Sequence, residues 1–404
     1  MPAPRYSIVI PTRNRAHLLR HSLRSAMAQR FDDFEVVVSD NHSSDDTNAV
    51  AADLADGRVR YVRTPRDMNM IDSWEFALQQ ARGEYITFLC DDDAIQPRLL
   101  SSIDAVLPNS GVQIASWSFH GTYHHDTSDD VGLRNSLIAV PVRRGVRRLS
   151  TATLKEEVRR CVFAAELPRM LNSCAHRSVF DDVRAKFGRV CFPFSPDYAA
   201  AAAQLEVRQE LLAIDDHLVL WGIGKESVGA QSRTRGAASQ AYMDDLKAVG
   251  MDRAELVPLQ TVSLTNYTLD TILRIWARAG DREGFAQVDL RAYLDAVARE
   301  TVHVERATVD VGDDFREIAE VAKRLPFGER VVFLARYGLH PGGDWLRRAR
   351  ALVRREIARR SLLSAFERHT RFRADPTRVF KGADYGFTNI FECASRIDDF
   401  QLDA

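Results

Sequence analysis

Long apolar runs are missing from this sequence of 404 residues. None approaches the roughly 20 residues of a membrane span, so the reading excludes a helical integral membrane protein. Charge of one sign is missing too. Lys and Arg number 55 against 56 Asp and Glu, a net of −1. That balance leaves no basic excess for a dedicated nucleic-acid binder. Cysteines are few: Cys90, Cys161, Cys174, Cys191 and Cys393. They are scattered, odd in number and without a pair at metal-ligand spacing, which argues for a reduced, cytosolic chain rather than a disulfide framework. No fixed repeat, no low-complexity tract and no secretory-type segment after Pro2-Ala3-Pro4-Arg5 is visible. The expectation is a cytoplasmic protein of two domains, soluble or at most peripheral to a membrane.

What is present is a regular alternation of short apolar runs and amphipathic stretches. Residues 6–10 are almost wholly apolar and stop at Pro11, as suits a strand buried on both faces. A helix with Leu19, Leu23 and Met27 on one face follows, with Asn14 as its N-cap. Residues 34–38 and 59–62 read as further strands, and 71–82 as a helix closed by Gly83. Residues 85–90 form a strand that runs straight into Asp91-Asp92-Asp93, and 112–117 form a fifth. This alternation predicts a doubly wound, mostly parallel sheet. Residues 120–148 break the pattern as a long polar loop or small hairpin. From about Gly236 the sequence is helix upon helix, so the domain break is placed at 235: an α/β domain over 1–235 and an all-helical domain over 236–404.

Three adjacent carboxylates at the end of a buried strand repel one another unless a cation or a ring of hydroxyls sits there. Open α/β sheets also bind ligands at the carboxyl ends of their strands. The acids therefore predict a divalent metal holding a diphosphate. Thr12 and Asp40, at the ends of two other strands, converge on the same crevice. Asp40 is suited to accept from a base imide, and Thr12 to touch base or ribose. A solvated turn, a loop acid and a local turn residue are the plainer readings of these three features. Arg63 and Arg66 either neutralise phosphate or are ordinary exposed arginines. His120, Tyr123 and His124 either line an acceptor site or form a surface loop. His217 either reaches a metal-bound diphosphate or is a satisfied strand histidine. Trp74 reads as core. Asp197 opens an alanine-rich helix, as an N-cap or as something more.

Taken together, Ile8-Val9-Ile10-Pro11-Thr12-Arg13-Asn14, Val36-Val37-Val38-Ser39-Asp40-Asn41, Arg82-Gly83-Glu84-Tyr85-Ile86 and Asp91-Asp92-Asp93 resemble the family-two glycosyltransferases. The resemblance covers roughly the first half of the chain. It implies a GT-A fold, Rossmann-like with a mostly parallel sheet, and inverting transfer of a sugar from a nucleoside-diphosphate donor, UDP being slightly favoured, to an acceptor hydroxyl. It also implies Mg²⁺ or Mn²⁺ on Asp93, with Asp91 or Asp92 near the ribose or the metal, Asp91 being the second ligand favoured. Nucleotide-sugar contacts are implied for Pro11, Thr12, Asn14, Asp40, Arg66, Asp91 and Asp92, and a general base at Asp197. Contacts to acceptor or diphosphate are expected from His120, Tyr123 and His217. Ser39 stands where many members have an acid, and Pro196 replaces the usual acid before the base. The Q-x-x-R-W motif of processive synthases is missing, so a single sugar is transferred. The helical domain then binds the acceptor or mediates self-association. A helix over 345–366, with Arg347, Arg348, Arg350, Arg354, Arg355, Arg359 and Arg360 around an apolar side, either lies on an anionic membrane or packs with a solvated basic face. Two rival readings are a sugar nucleotidyltransferase, disfavoured because no glycine follows Ile10, and a catalytically silent nucleotide-binding scaffold.

Overall fold

The computed structural model describes residues 3–118, 120–193, 195–231, 235–248, 253–306, 309–337, 377–400 and 402. Four parallel strands come first: β1 (Tyr6–Thr12), β2 (Phe34–Asp40), β3 (Val59–Arg63) and β4 (Tyr85–Phe88), in the order β3-β2-β1-β4. Every residue of β1 and β2 is buried, as unbroken apolar runs in a parallel sheet demand. The connecting helices are α1 (Ala16–Met27), α2 (Thr47–Asp53) and α3 (Met70–Gln80). α1 buries Leu18, Leu19, Leu23 and Ala26, the stripe that a 3.6-residue period lays against a sheet.

Two sequence expectations about this half need correction. Asn14 does not cap α1. It sits in the left-handed region at φ 54°, and its Oδ1 accepts from Ser44 N at 2.7 Å. Asp45 Oδ2, from the next loop, accepts from Ala16 N instead. Gly83 does not close α3, which ends at Gln80 with an extended Ala81 after it. Its missing side chain answers a different need: a Cβ there would lie 2.5 Å from Ser7 N.

The remaining elements of the α/β part are β5 (Ala94–Ile95), α4 (Leu99–Val106), β6 (Ile114–Trp117), β7 (Gly121–His124), β8 (Ser136–Ala139), β9 (Gly145–Ser150), α5 (Thr151–Arg159), β10 (Ser173–His176), α6 (Arg177–Phe187), α7 (Pro196–Val207), β11 (Glu210–Asp215) and β12 (Val219–Ile223). The first sheet grows to eight strands, β3-β2-β1-β4-β10-β6-β11-β9. β10 enters antiparallel between β4 and β6. Asn172 fixes its start by donating to the carbonyls of Trp117 and Ala165 at 2.6 and 2.9 Å. Residues 120–148 are neither loop nor lone hairpin. They supply β7, β8 and β9; β7 pairs with β8 and β12, and with β5 beyond β12 and β13 (Arg378–Lys381) beyond β8 they form a second sheet of five strands, β13-β8-β7-β12-β5.

The helical part comprises α8 (Val228–Gln231), α9 (Ala237–Ala248), α10 (Leu264–Arg278), α11 (Leu290–Arg306), α12 (Gly312–Ala322) and α13 (Phe327–Tyr337), with no strand among the described residues. Several buried polar groups at its centre are hydrogen-bonded. Buried Asp270 accepts the N–H groups of Glu255 and Leu256 at 2.8 and 2.6 Å. Asn266 donates to Leu259 and Thr261 carbonyls and accepts from Tyr293. Unpaired, such groups would each cost a few kcal/mol.

The single break at 235 does not describe the chain. Contacts divide it into one unit of 1–154, 165–227 and 374–404, and a second of 155–164 and 228–373. The chain returns to the first unit because β13 (Arg378–Lys381) pairs antiparallel with β8. After it come α14 (Gly382–Tyr385) and α15 (Ile390–Ser395). Phe380, Phe387, Ile390 and Phe400 bury themselves with Tyr123 and Leu137. Among the described residues no helix is long and apolar enough to cross a membrane. The basic stretch 345–366 lies outside the described residues.

Phe387→Ala should therefore lower the stability of the first unit by about 3–5 kcal/mol, the usual loss for a fully buried Phe. Differential scanning calorimetry with a probe on the α/β unit checks this. A shift confined to the helical unit would restore the break at 235.

Candidate active site

The order of the first sheet reverses between β1 and β4, and in an open α/β sheet that is where a crevice forms at the carboxyl ends. Asp91, Asp92 and Asp93 lie in the turn that follows β4, closed by Asp93 N donating to Cys90 O at 3.2 Å. All three are buried, Asp93 to 1% exposure. Each carboxylate is held differently. Thr12 Oγ1 donates to Asp91 Oδ2 at 2.7 Å, and Arg15 Nη1 to its Oδ1 at 2.9 Å. Ser227 Oγ donates to Asp92 Oδ2 at 2.7 Å, and Gly222 N to Asp93 Oδ1 at 2.8 Å.

The electrostatics are those of an under-compensated anionic seat. Burial, then the charge of Asp92, push Asp93 well above the usual carboxylate range. Burial also raises Asp91, against the pull of Arg15 and the Thr12 hydroxyl. One guanidinium faces three acids, and Arg15 reaches Asp92 only at 3.9 Å. Removing Arg15 would leave buried charges unpaired, a severe loss.

Cys90 Sγ and one carboxylate oxygen each from Asp92 and Asp93 lie within 4.8 Å of one another. The donor set fits a divalent cation: two hard oxygens, a neighbouring sulfur and excess negative charge. Of the two acids offered beside Asp93, the cluster contains Asp92. Asp91 has both oxygens engaged by Thr12 and Arg15, so Asp92, not Asp91, stands with Asp93 in the cluster.

Thr12 and Asp40 do share one rim, aligned in register across β1 and β2. Asp40 is fully buried. Its oxygens accept from Ser43 N at 2.9 Å and from Tyr61 OH at 2.5 Å, with Arg63 at 3.8 Å. Pro11 is buried within β1. Arg66 is exposed. Asp197 is half-buried in the first turn of α7. Burial raises its pKa, opposed by Arg169 and by the backbone N–H groups of Tyr198 and Asp197 itself.

Three expected contacts fall away from this crevice. Tyr123 is fully buried in the core of the second sheet, its hydroxyl on Asn135 Oδ1. His120 and His217 are buried edge-to-face at 5.6 Å. They sit at the amino ends of β7 and β12, whereas Gly222 meets Asp93 near the other end. The interval is roughly 15 Å of strand. His125, one residue past β7, is the histidine that reaches the acids, with Nε2 2.8 Å from Asp92 O. Sequence reasoning also missed Arg15, Cys90, Gly222 and Ser227. For Gly222 the signal is steric and tertiary: a Cβ would lie 1.8 Å from Asp92 O.

The strand order and the acids at the switch point are those of a GT-A type α/β domain. Residues 7–148 match the family model Glycosyl transferase family 2. Similar over this region is the GalNAc(5)-diNAcBac-PP-undecaprenol beta-1,3-glucosyltransferase of Campylobacter jejuni, 38% identical over 103 residues, 25% of this chain and 33% of that protein. The UDP-Glc:alpha-D-GlcNAc-diphosphoundecaprenol beta-1,3-glucosyltransferase of Escherichia coli is 30% identical over 105 residues, 26% of this chain and 42% of its own length. The chain thus spans about a third to two fifths of these relatives. Among solved structures, S. aureus TarS 1–349 in complex with UDP-GlcNAc aligns over 92% of this chain and 94% of that one, at 13% identity and a TM-score of 0.45.

Two outcomes follow from the geometry. Gly222→Ala should displace the Asp92 carbonyl and cost about 1–3 kcal/mol of stability, with the acid turn losing its ordered seat. Denaturant titration and the divalent-cation affinity of the variant measure both. The histidine pair makes stability fall with acid. Burial depresses His120 to about 4 and His217, also disfavoured by His120, to about 3. Between the unfolded value near 6.5 and those values the unfolded chain binds more protons, so their contribution is complete above about pH 6.5 and lost progressively below it. From pH 7 to 5 the pair should remove roughly 2–4 kcal/mol. In His217→Leu the slope of stability against pH should be visibly flatter.

Proposed function

We propose that the chain is an inverting, metal-dependent glycosyltransferase that moves one sugar from a nucleoside-diphosphate donor to an acceptor hydroxyl. The observation that carries this is the buried acid turn at the switch point of the sheet, inside the segment that matches the family. Asp92 and Asp93 would hold the cation, with Cys90 beside them. A divalent ion there supplies electrostatic stabilisation of the departing diphosphate.

The chain's own residues do the rest. Thr12 and Arg15 each hold one oxygen of Asp91, which fixes the turn. Asp40, Thr12 and Asn14 form the rim that receives base and ribose. Asp197 accepts the proton of the incoming hydroxyl. Its raised pKa makes it a better base than a solvent-exposed Asp, provided the pH lies above that value. Holding donor and acceptor in line turns the barrier largely into one of positioning. The named substrates of the two relatives make a UDP-sugar and a polyprenyl-diphosphate-linked acceptor the first pair to assay.

A thermal-shift series with UDP should show stabilisation that depends on Mn²⁺ and disappears in Asp93→Asn. Asp197→Asn should keep that shift while kcat drops by roughly 10²–10⁴-fold. It should also lose the acidic limb of the pH–rate profile. A UDP shift that survives in Asp93→Asn would remove the metal from the proposal. Pyrophosphate release from a nucleoside triphosphate and a sugar phosphate would favour a nucleotidyltransferase instead.

A further inference from the structure

α13 is a helix with two apolar faces, and only one of them is covered. Phe333 is fully buried, and Leu334 and Tyr337 are half-buried beside it. On the other side Phe327 is 74% exposed, Val332 61% and Val331 43%. Three of the seven large hydrophobic side chains found exposed among the described residues thus fall on this one helix. At 100° per residue, Phe327, Val331, Ala335, Gly328 and Val332 sweep an uncharged arc of roughly 140°. Each of the five is exposed. Single exposed apolar residues need no cause, but a contiguous stripe on a surface helix does.

The flanks are mostly cationic. Arg330 borders the stripe on one side, its guanidinium 5.5 Å from the Phe327 ring. Arg336 borders it on the other. Lys323 and Arg324, both exposed, precede the helix. Lys323 pairs with Glu320 and Arg336 approaches Asp295 at 3.7 Å, and Glu329 is the acid on the polar edge. The sequence immediately after α13 is more basic still, with ten arginines against four acids over residues 338–376. An exposed aromatic and two valines with cations at the rim match the requirements of a membrane interface: an apolar wedge for the acyl boundary and positive charge for the headgroups.

We propose that this face of α13 docks on an anionic lipid bilayer, with Phe327, Val331 and Val332 inserted at the headgroup boundary. Docking is independent of the transfer reaction, so each stands or falls alone. The test is co-sedimentation of the full-length chain with vesicles of phosphatidylglycerol and phosphatidylethanolamine, beside vesicles of phosphatidylcholine alone. The expected result is binding to the anionic vesicles, weakened by 0.5 M salt, and reduced roughly tenfold or more in Phe327→Ser/Val332→Ser. Lys323→Gln/Arg324→Gln should weaken binding less, and mainly at low salt. Because both serine positions face solvent, the variant should keep the wild-type melting temperature, which separates lost docking from lost fold. Undiminished vesicle binding by the serine variant would overturn the proposal, since the basic stretch after α13 would then suffice. So would a wild-type oligomer that ignores vesicles and dissociates in the serine variant on size-exclusion with light scattering, which would assign the stripe to a second copy of the chain.

Discussion

The molecule is organised around the cost of burying three adjacent carboxylates. In water the cost is slight; at the end of β4 it is large, because Asp91, Asp92 and Asp93 are all buried and their charges share a low-dielectric turn. The chain answers with four donors drawn from distant parts of the sequence: Thr12 and Arg15 from the first βα turn, both on Asp91, Gly222 from the end of β12, and Ser227 just beyond it. The compensation is incomplete. What remains is a standing demand for positive charge at one point of the sheet, and a bound cation is the natural answer to it.

That demand explains why the second sheet exists where it does. β5 begins immediately after the acids, and its two residues pair with β12. The pairing brings the Gly222 amide against Asp93. It also brings the backbone of Gly222 so near Asp92 O that no side chain fits between them. His125 reaches the same carbonyl from the parallel neighbour β7. The small sheet is therefore a brace for the acid turn, and the residues at its far end, His120 and His217, contribute to its packing rather than to the crevice.

The first four βα elements and the acid motif were legible in the sequence because they rest on local signals. Apolar runs of the right length mark buried strands, and carboxylates at a strand end mark a binding edge. The parts that were not legible depend on partners far away in the chain. β10 has no apolar run of its own and is recruited by Asn172 and by its neighbours. β7 and β8 are only four residues each, too short to stand out as apolar runs. That Thr12 and Arg15 engage both oxygens of Asp91 was equally hidden, since they lie 79 and 76 residues away in the chain. Asn14 has the residue type of an N-cap, yet its left-handed backbone directs it to Ser44, and Asp45 does the capping from elsewhere. The break at 235 failed for a similar reason: nothing in the composition of residues 378–402 announces that they belong with β8.

That return of the chain has a consequence for the order in which the protein is made. β8 emerges from the ribosome some 240 residues before β13, its pairing partner. At about 5–20 residues per second, the brace beneath the acid turn stays open at one edge for many seconds while the helical unit is synthesised. During that interval Leu137 and Tyr123 have no Phe380 or Phe387 to cover them. The nascent α/β unit is thus a natural client for chaperones until the last strand arrives, and a chain interrupted after the helical unit would carry that uncovered edge permanently.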